Sequence, residues 1–157
     1  VRRAAVTDAT ELARLRWEFR LEEQPHQTRA EFFHACEAWL SEALTSGRWM
    51  VAVAESDPGL LHGCMYLQCV EKVPVPGGIR RFWGYVTNSY VASEVRGKGV
   101  GQKLLNSLID AGRERSLEFL IVWPSQESVP FYERSGFRPV SEVHVGPDDE
   151  PPLELLL

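Results

Sequence analysis

What this chain has little of narrows it first. No apolar run approaches the ~18 residues that a membrane span requires, and no signal-peptide pattern opens the chain. A cytoplasmic protein with no membrane partner is therefore expected. The numbering starts at Val1 rather than Met, so a few leading residues are expected to be missing. Basic charge is scarce in bulk: 17 Lys and Arg against 22 Asp and Glu leave a net charge of −5, which argues against nucleic acid as a partner. Cys36, Cys64 and Cys69 lack zinc-ligand spacing and read as reduced, mostly buried thiols. His26, His34, His62 and His144 are scattered, so no metal is expected. Repeats and low-complexity segments are also lacking. What remains, at 44% hydrophobic and 25% charged residues over 157 positions, is one globular domain able to bury a core.

What is present falls into a readable order. Asp8-Ala9-Thr10-Glu11 has the form of a capping box ahead of Leu12, Leu15 and Phe19, predicting a first helix. Thr28-Arg29-Ala30-Glu31 repeats that form before Phe32, Cys36, Trp39, Leu40 and Ala43, a stripe read as core, with Gly47 as the stop. The break between the two helices carries Glu22, Glu23 and His26, polar groups able to face a substrate. Strands follow at residues 50–54, 61–70 and 82–91, separated by the turn Asp57-Pro58-Gly59 and by a loop with Pro74 and Pro76. A helix from near Gly99 buries Val100, Leu104, Leu105, Leu108 and Ile109. Phe119 to Trp123 is a buried strand whose crossover makes it parallel to the strand before the helix. Ser128 suits the N-cap, Pro130 the first turn and Gly136 the left-handed end of a short helix. A strand over 137–145, an acidic Pro-rich turn over 146–152 and a last strand over 153–157 complete the chain. The class is α+β: a mixed, mostly antiparallel sheet of six or seven strands with helices on both faces.

Between the strand ending at Val91 and the long helix lies Ala92-Ser93-Glu94-Val95-Arg96-Gly97-Lys98-Gly99-Val100-Gly101-Gln102. The first turn of a helix leaves amide N–H groups without intrahelical partners, and the macrodipole adds positive charge there. Glycines keep Cβ atoms out of the way and permit a concave nest of amides, while Arg96 and Lys98 add charge. The stretch is built for a phosphate or pyrophosphate. It is not a Walker loop, since Gln102 and Lys103 follow Gly101, and not the dinucleotide fingerprint, since Gln102 stands where the third glycine belongs.

Arg96-x-x-Gly99-x-Gly101 resembles the pyrophosphate-binding motif of the GNAT superfamily of acyl-CoA-dependent N-acetyltransferases. Phe131-Tyr132-Glu133-x-x-Gly136-Phe137 is similar to the other signature of that superfamily, and the two stand in the right order. The resemblance is firm over the C-terminal half and covers the N-terminal half only as element order. It implies residues 81–157 as the acetyl-CoA-binding half and 1–80 as the acceptor side, with a splay between the fourth and fifth strands. It implies that Val91 and Ala92 pair with the pantetheine arm as an added strand. The amides of Gly97, Lys98, Gly99, Val100, Gly101 and Gln102 would hold the pyrophosphate beside Arg96, with Ser125 and Ser128 along the arm. Tyr132 occupies the place of the general acid for the departing thiolate. A phenol near pKa ~10 and a thiol near ~8.5 make that transfer uphill but usable inside a hydrogen bond.

Two departures from the family pattern stand out. Ser125 and Ser128 replace the more usual Asn and Ala. Thr87-Asn88-Ser89-Tyr90 carries no carboxylate where many members have a Glu that deprotonates the amine. The base is then water relayed by Asn88 or Ser89, a carboxylate from Glu22 or Glu23, or none for an acceptor of low pKa. The expectation is transfer of an acetyl group from acetyl-CoA, without a metal, to a primary amine of a small molecule or peptide, with a homodimer left open. The alternative is a non-catalytic acyl-CoA-binding or sensing module of the same fold.

Overall fold

A computed structural model describes residues 1–23, 29–77, 81–140 and 152–157; the side chains of Glu22 and Glu23 fall outside that description. So do the helix break at 24–27, Thr28 of the second capping box, positions 141–145 of the strand expected over 137–145 and positions 146–151 of the turn expected over 146–152.

The elements are β1 (Arg2–Arg3), α1 (Ala9–Glu23), α2 (Arg29–Thr45), β2 (Trp49–Asp57), β3 (Leu60–Glu71), β4 (Phe82–Val91), α3 (Val100–Glu114), β5 (Phe119–Val122), α4 (Val129–Glu133), β6 (Arg138–Pro139) and β7 (Leu153–Leu156). They form one sheet in the order β1-β2-β3-β4-β5-β7-β6. Every pairing is antiparallel except β4 with β5, as the strand–helix–strand order requires. The mixed α+β sheet read from the sequence is therefore the one observed.

Alternation along the strands divides the core in two. Met50, Ala52, Met65, Leu67 and Val86 face α3 and meet Leu104, Leu105, Leu108 and Ile109. Val51, Val53, Cys64, Tyr66 and Tyr90 face α1 and α2 and meet Leu12, Leu15 and Leu40. Each fully buried leucine contributes about 1.5–3 kcal/mol. Gly84 makes room on β4 for leucines of its neighbouring strands, since a Cβ there would sit 2.5 Å from Leu120 Cδ2 and 2.6 Å from Leu67 Cδ1.

Three local expectations need correction. The first capping box does not form between Asp8 and Glu11. Asp8 takes the Ala5 N–H at 2.7 Å and both guanidinium nitrogens of Arg2 at 2.8 Å, while Glu11 pairs with Arg14 and accepts the Leu61 N–H. A cation reached by chain reversal outcompetes a single helix amide. This Arg2, which also binds Glu55, anchors β1, a strand too short to show periodicity and absent from the sequence reading. Second, Trp39 is not core: it is 45% exposed, its ring edge-on to Trp49 at 5.1 Å. Third, Ser128 stands at the N-cap of α4 without capping it, because its hydroxyl donates to the Ser125 carbonyl at 2.9 Å.

Candidate active site

The sheet opens where two strands of unequal reach diverge. β4 pairs with β5 only at Gly84–Leu120, Tyr85–Ile121 and Val86–Val122, after which β5 ends and β4 runs on to Val91. Pro124, with no N–H, cannot continue the ladder. On its other side β4 is bulged: Tyr66 pairs with Thr87 and Cys64 with Tyr90, so three steps of β4 oppose two of β3. Asn88 absorbs the extra residue with φ +49, a left-handed geometry that Asn tolerates better than most residues. The bulge breaks the alternation: Thr87 and Asn88 share one face, and Ser89 takes the other. Asn88 Oδ1 accepts from Arg16 Nη1 at 2.5 Å under the α1–α2 layer, and Ser89 Oγ lies 2.9 Å from the hydroxyl of Tyr132 on the other side.

The gap is continued by a cleft of about 700 Å³ between the end of β4, the loop into α3, and α4. The loop is shaped by backbone needs. Gly97 and Gly99 have φ +74 and +77, and a Cβ built on either meets nothing within 4 Å. These glycines answer to torsion, not to packing, and the space above them is open. Gly99 is the N-cap of α3 and has no side chain to cap it; the first intrahelical bond is Lys103 N–H to the Gly99 carbonyl at 3.2 Å. The amides of Val100, Gly101 and Gln102 precede that ladder, at the positive end of a 15-residue helix. An anion placed there meets N–H groups directly.

Side chains around the loop are tied to its backbone. Arg96 Nε donates to the Val91 carbonyl at 2.7 Å, with the guanidinium 5.7 Å from the Tyr90 ring centroid. Lys98 Nζ donates to the Glu94 carbonyl at 3.0 Å. Gln102 Nε2 donates to Ser135 Oγ at 3.0 Å, clasping α3 to the end of α4. Gly136 closes α4 at φ +91, where Phe137 N–H bonds the Tyr132 carbonyl at 3.2 Å. Tyr132 is thereby fixed between Phe131 and Phe137, at centroid distances of 4.9 and 5.5 Å. Only 4% exposed, its phenol is pushed up by burial, an effect that the Ser89 hydrogen bond opposes. It holds its proton throughout the neutral range.

Of the residues singled out in the sequence, Val91, Arg96, Gly97, Gly99, Val100, Gly101, Gln102, Ser128 and Tyr132 line this one cleft. Ala92 does not: it is buried in the core under α1 and α2. Lys98 and Ser125 also lie outside the lining, Ser125 Oγ donating to Ser128 Oγ at 3.1 Å. Among the candidate bases, Ser89 is in the cleft and Asn88 faces away from it. The sequence reading did not foresee Ser89 as the partner of Tyr132, nor Glu127 and Arg134 in the wall. Strand alternation carried no signal for the first, because the bulge decides which face Ser89 takes. Among the described residues no helix is long and apolar enough to cross a membrane.

A family model described as acetyltransferase (GNAT) family matches residues 9–137. The chain is 32% identical over 102 residues to a 5-NmdU N-acetyltransferase of Pseudomonas phage PaMx11, covering 65% of this chain and 66% of that one. It is 34% identical over 55 residues to the glucosamine 6-phosphate N-acetyltransferase of Trypanosoma brucei brucei, 35% of this chain and 37% of that one. Among solved structures, a GCN5-related N-acetyltransferase from Ralstonia eutropha JMP134 superposes with TM-score 0.70 at 26% identity, covering 92% of this chain and 95% of that one. A predicted acetyltransferase from Clostridium acetobutylicum, crystallised with acetyl-CoA, shares the fold with TM-score 0.74 at 19% identity, covering 92% and 94%.

Proposed function

The chain belongs to the acetyltransferase (GNAT) family, and from that premise we propose that it is an N-acetyltransferase moving an acetyl group from acetyl-CoA to a primary amine by direct attack on the thioester. The observation that carries this reading is the bare amide turn at Val100–Gln102, opening onto a cleft that ends at a buried, protonated tyrosine. The turn fits a diphosphate: no Cβ stands over Gly97 or Gly99, and Arg96 brings positive charge to the cleft wall. The side of β4 that β5 leaves uncovered after Val86 offers an arm of amides and carbonyls a strand to lie along.

Acetyl-CoA supplies an activated acetyl thioester whose cleavage leaves a thiolate. The residues here position it, line the cleft with the Phe131 ring, and hold a proton at the Tyr132 hydroxyl for the departing sulfur. Ser89 orients that hydroxyl. The two sequence relatives are named for different acceptors, so likeness sets none for this chain.

Calorimetric titration with acetyl-CoA, followed by thiol release over an amine panel, tests the proposal. Binding with amine-dependent thiol release is expected. Absence of binding at millimolar acetyl-CoA would overturn it, and binding without release from any amine would leave a sensing module instead.

A further inference from the structure

On the face of β4 opposite Tyr132 lies a second cavity, of about 450 Å³, beneath α1 and α2. Its walls are largely rings: Phe32 and Trp39 from α2, Trp49 from β2 and Tyr66 from β3. Trp49 meets Trp39 and Tyr66 edge-on, at 5.1 Å and 6.4 Å between centroids. Arg16 and the bulge residues Thr87 and Asn88 line the side beside the gap, where β4 has run past its last pair with β5. Asn88 and Ser89 are consecutive and bond to opposite sides, so this cavity and the cleft share one short piece of backbone.

The chemistry of the walls selects an occupant. Flat, π-rich surfaces favour a flat ring. A guanidinium carries five N–H donors, of which the bond to Asn88 engages one; it suits a carboxylate, which it can pair bidentately. Among the described residues no carboxylate lines the cavity. An alkylammonium gains cation–π contact with the rings, but it meets the like charge of Arg16 with no carboxylate among the described residues to offset it. An aromatic amine has no such difficulty: its lone pair is delocalised into the ring and it is uncharged at neutral pH. It also needs no base before it attacks, which agrees with the uncharged stretch Thr87-Asn88-Ser89 beside the gap.

We propose, resting on the transferase reading above, that this cavity is the acceptor pocket and takes an aromatic amine bearing a carboxylate. The ring lies among Trp39, Trp49 and Tyr66, the carboxylate on Arg16, and the amino group toward the bulge. The amine nitrogen bonds to the thioester carbonyl carbon, the C–S bond breaks, the sulfur takes the Tyr132 proton, and the nitrogen's surplus proton passes to water, from which the Tyr132 phenolate is reprotonated.

The test measures thiol release with acetyl-CoA present at saturation, its binding first established by calorimetry. The acceptors are 3-aminobenzoate, aniline, benzylamine and an aliphatic diamine. The expected result is kcat/KM for 3-aminobenzoate about tenfold or more above aniline, as one charge-assisted hydrogen bond provides. Arg16→Gln then brings that ratio near one, while Arg16→Lys, which keeps the charge and guards against a folding defect, retains part of it. Benzylamine or the diamine outpacing 3-aminobenzoate overturns the pocket assignment and leaves the transferase reading standing. So does bound acetyl-CoA with no release from any of the four arylamine and alkylamine probes when another amine is turned over. Failure to bind acetyl-CoA at all removes the transferase reading, and this inference with it.

Discussion

Two spaces meet at residues 88 and 89 of β4, and they are made of different material. The end of the cleft at the first turn of α3 is formed by main chain, a glycine turn and helix amides, with Tyr132 among the side chains that line the rest. The cavity toward α2 is made of side chains drawn from α1, α2, β2, β3 and β4. Main-chain sites demand particular torsions from adjacent residues, so they leave compact marks in a sequence. Side-chain sites are assembled by the fold and leave none. The difference has consequences that can be measured.

The largest effect is expected on the cleft side. Tyr132→Phe should lower kcat about 100-fold or more, as loss of a general acid does, while the Kd for acetyl-CoA stays within about twofold. A comparable loss of affinity would make the ring a packing element rather than a proton donor. Next is a control remote from both spaces. Asp8 is bound by Arg2, which holds its carboxyl below the ordinary value of 3.8. The folded state therefore gains stability that is complete above about pH 4 and drains away as pH falls through the depressed value. Because Arg2 is 39% exposed, Asp8→Asn should cost about 1–2 kcal/mol. The mutant should also show a shallower acid limb in urea melts taken between pH 5 and 2, with acetyl-CoA binding unaltered.

Smaller effects sharpen the contrast itself. Gly99→Ala forces a Cβ into φ +77, costing about 1–2 kcal/mol and weakening acetyl-CoA binding about tenfold; the same exchange at Gly101, whose φ is not positive, should not shift the melting point comparably. Ser89→Ala removes one neutral hydrogen bond and should lower kcat by about three- to tenfold. Least of all, Trp39→Leu should change stability by under about 1 kcal/mol, because the ring is 45% exposed and walls a cavity instead of filling a core.

How much could be read in advance follows the same division. Gly97, Gly99 and Gly136 announce left-handed positions, Pro130 a first turn, and the apolar spacing from Val100 to Ile109 a buried helix face; each is a local constraint, and each holds. The orientation of Ser89 was not legible, because it depends on how β4 registers against β3 through Asn88. Trp39 carried the spacing of a core residue, and only the placement of Trp49 and Tyr66 shows that it borders empty space. Arg2 and Asp8 are six residues apart, yet their bond displaces a capping box because a bidentate ion pair outweighs one amide.

The bond from Arg96 to the Val91 carbonyl has a further meaning. A strand that stops pairing partway is an invitation to any passing extended chain, including another copy of itself. Here the last acceptor on that margin is already engaged by its own loop, so whatever settles alongside must trade places with a guanidinium. Entry at that point is a substitution, in which the guanidinium contact is surrendered for the one formed.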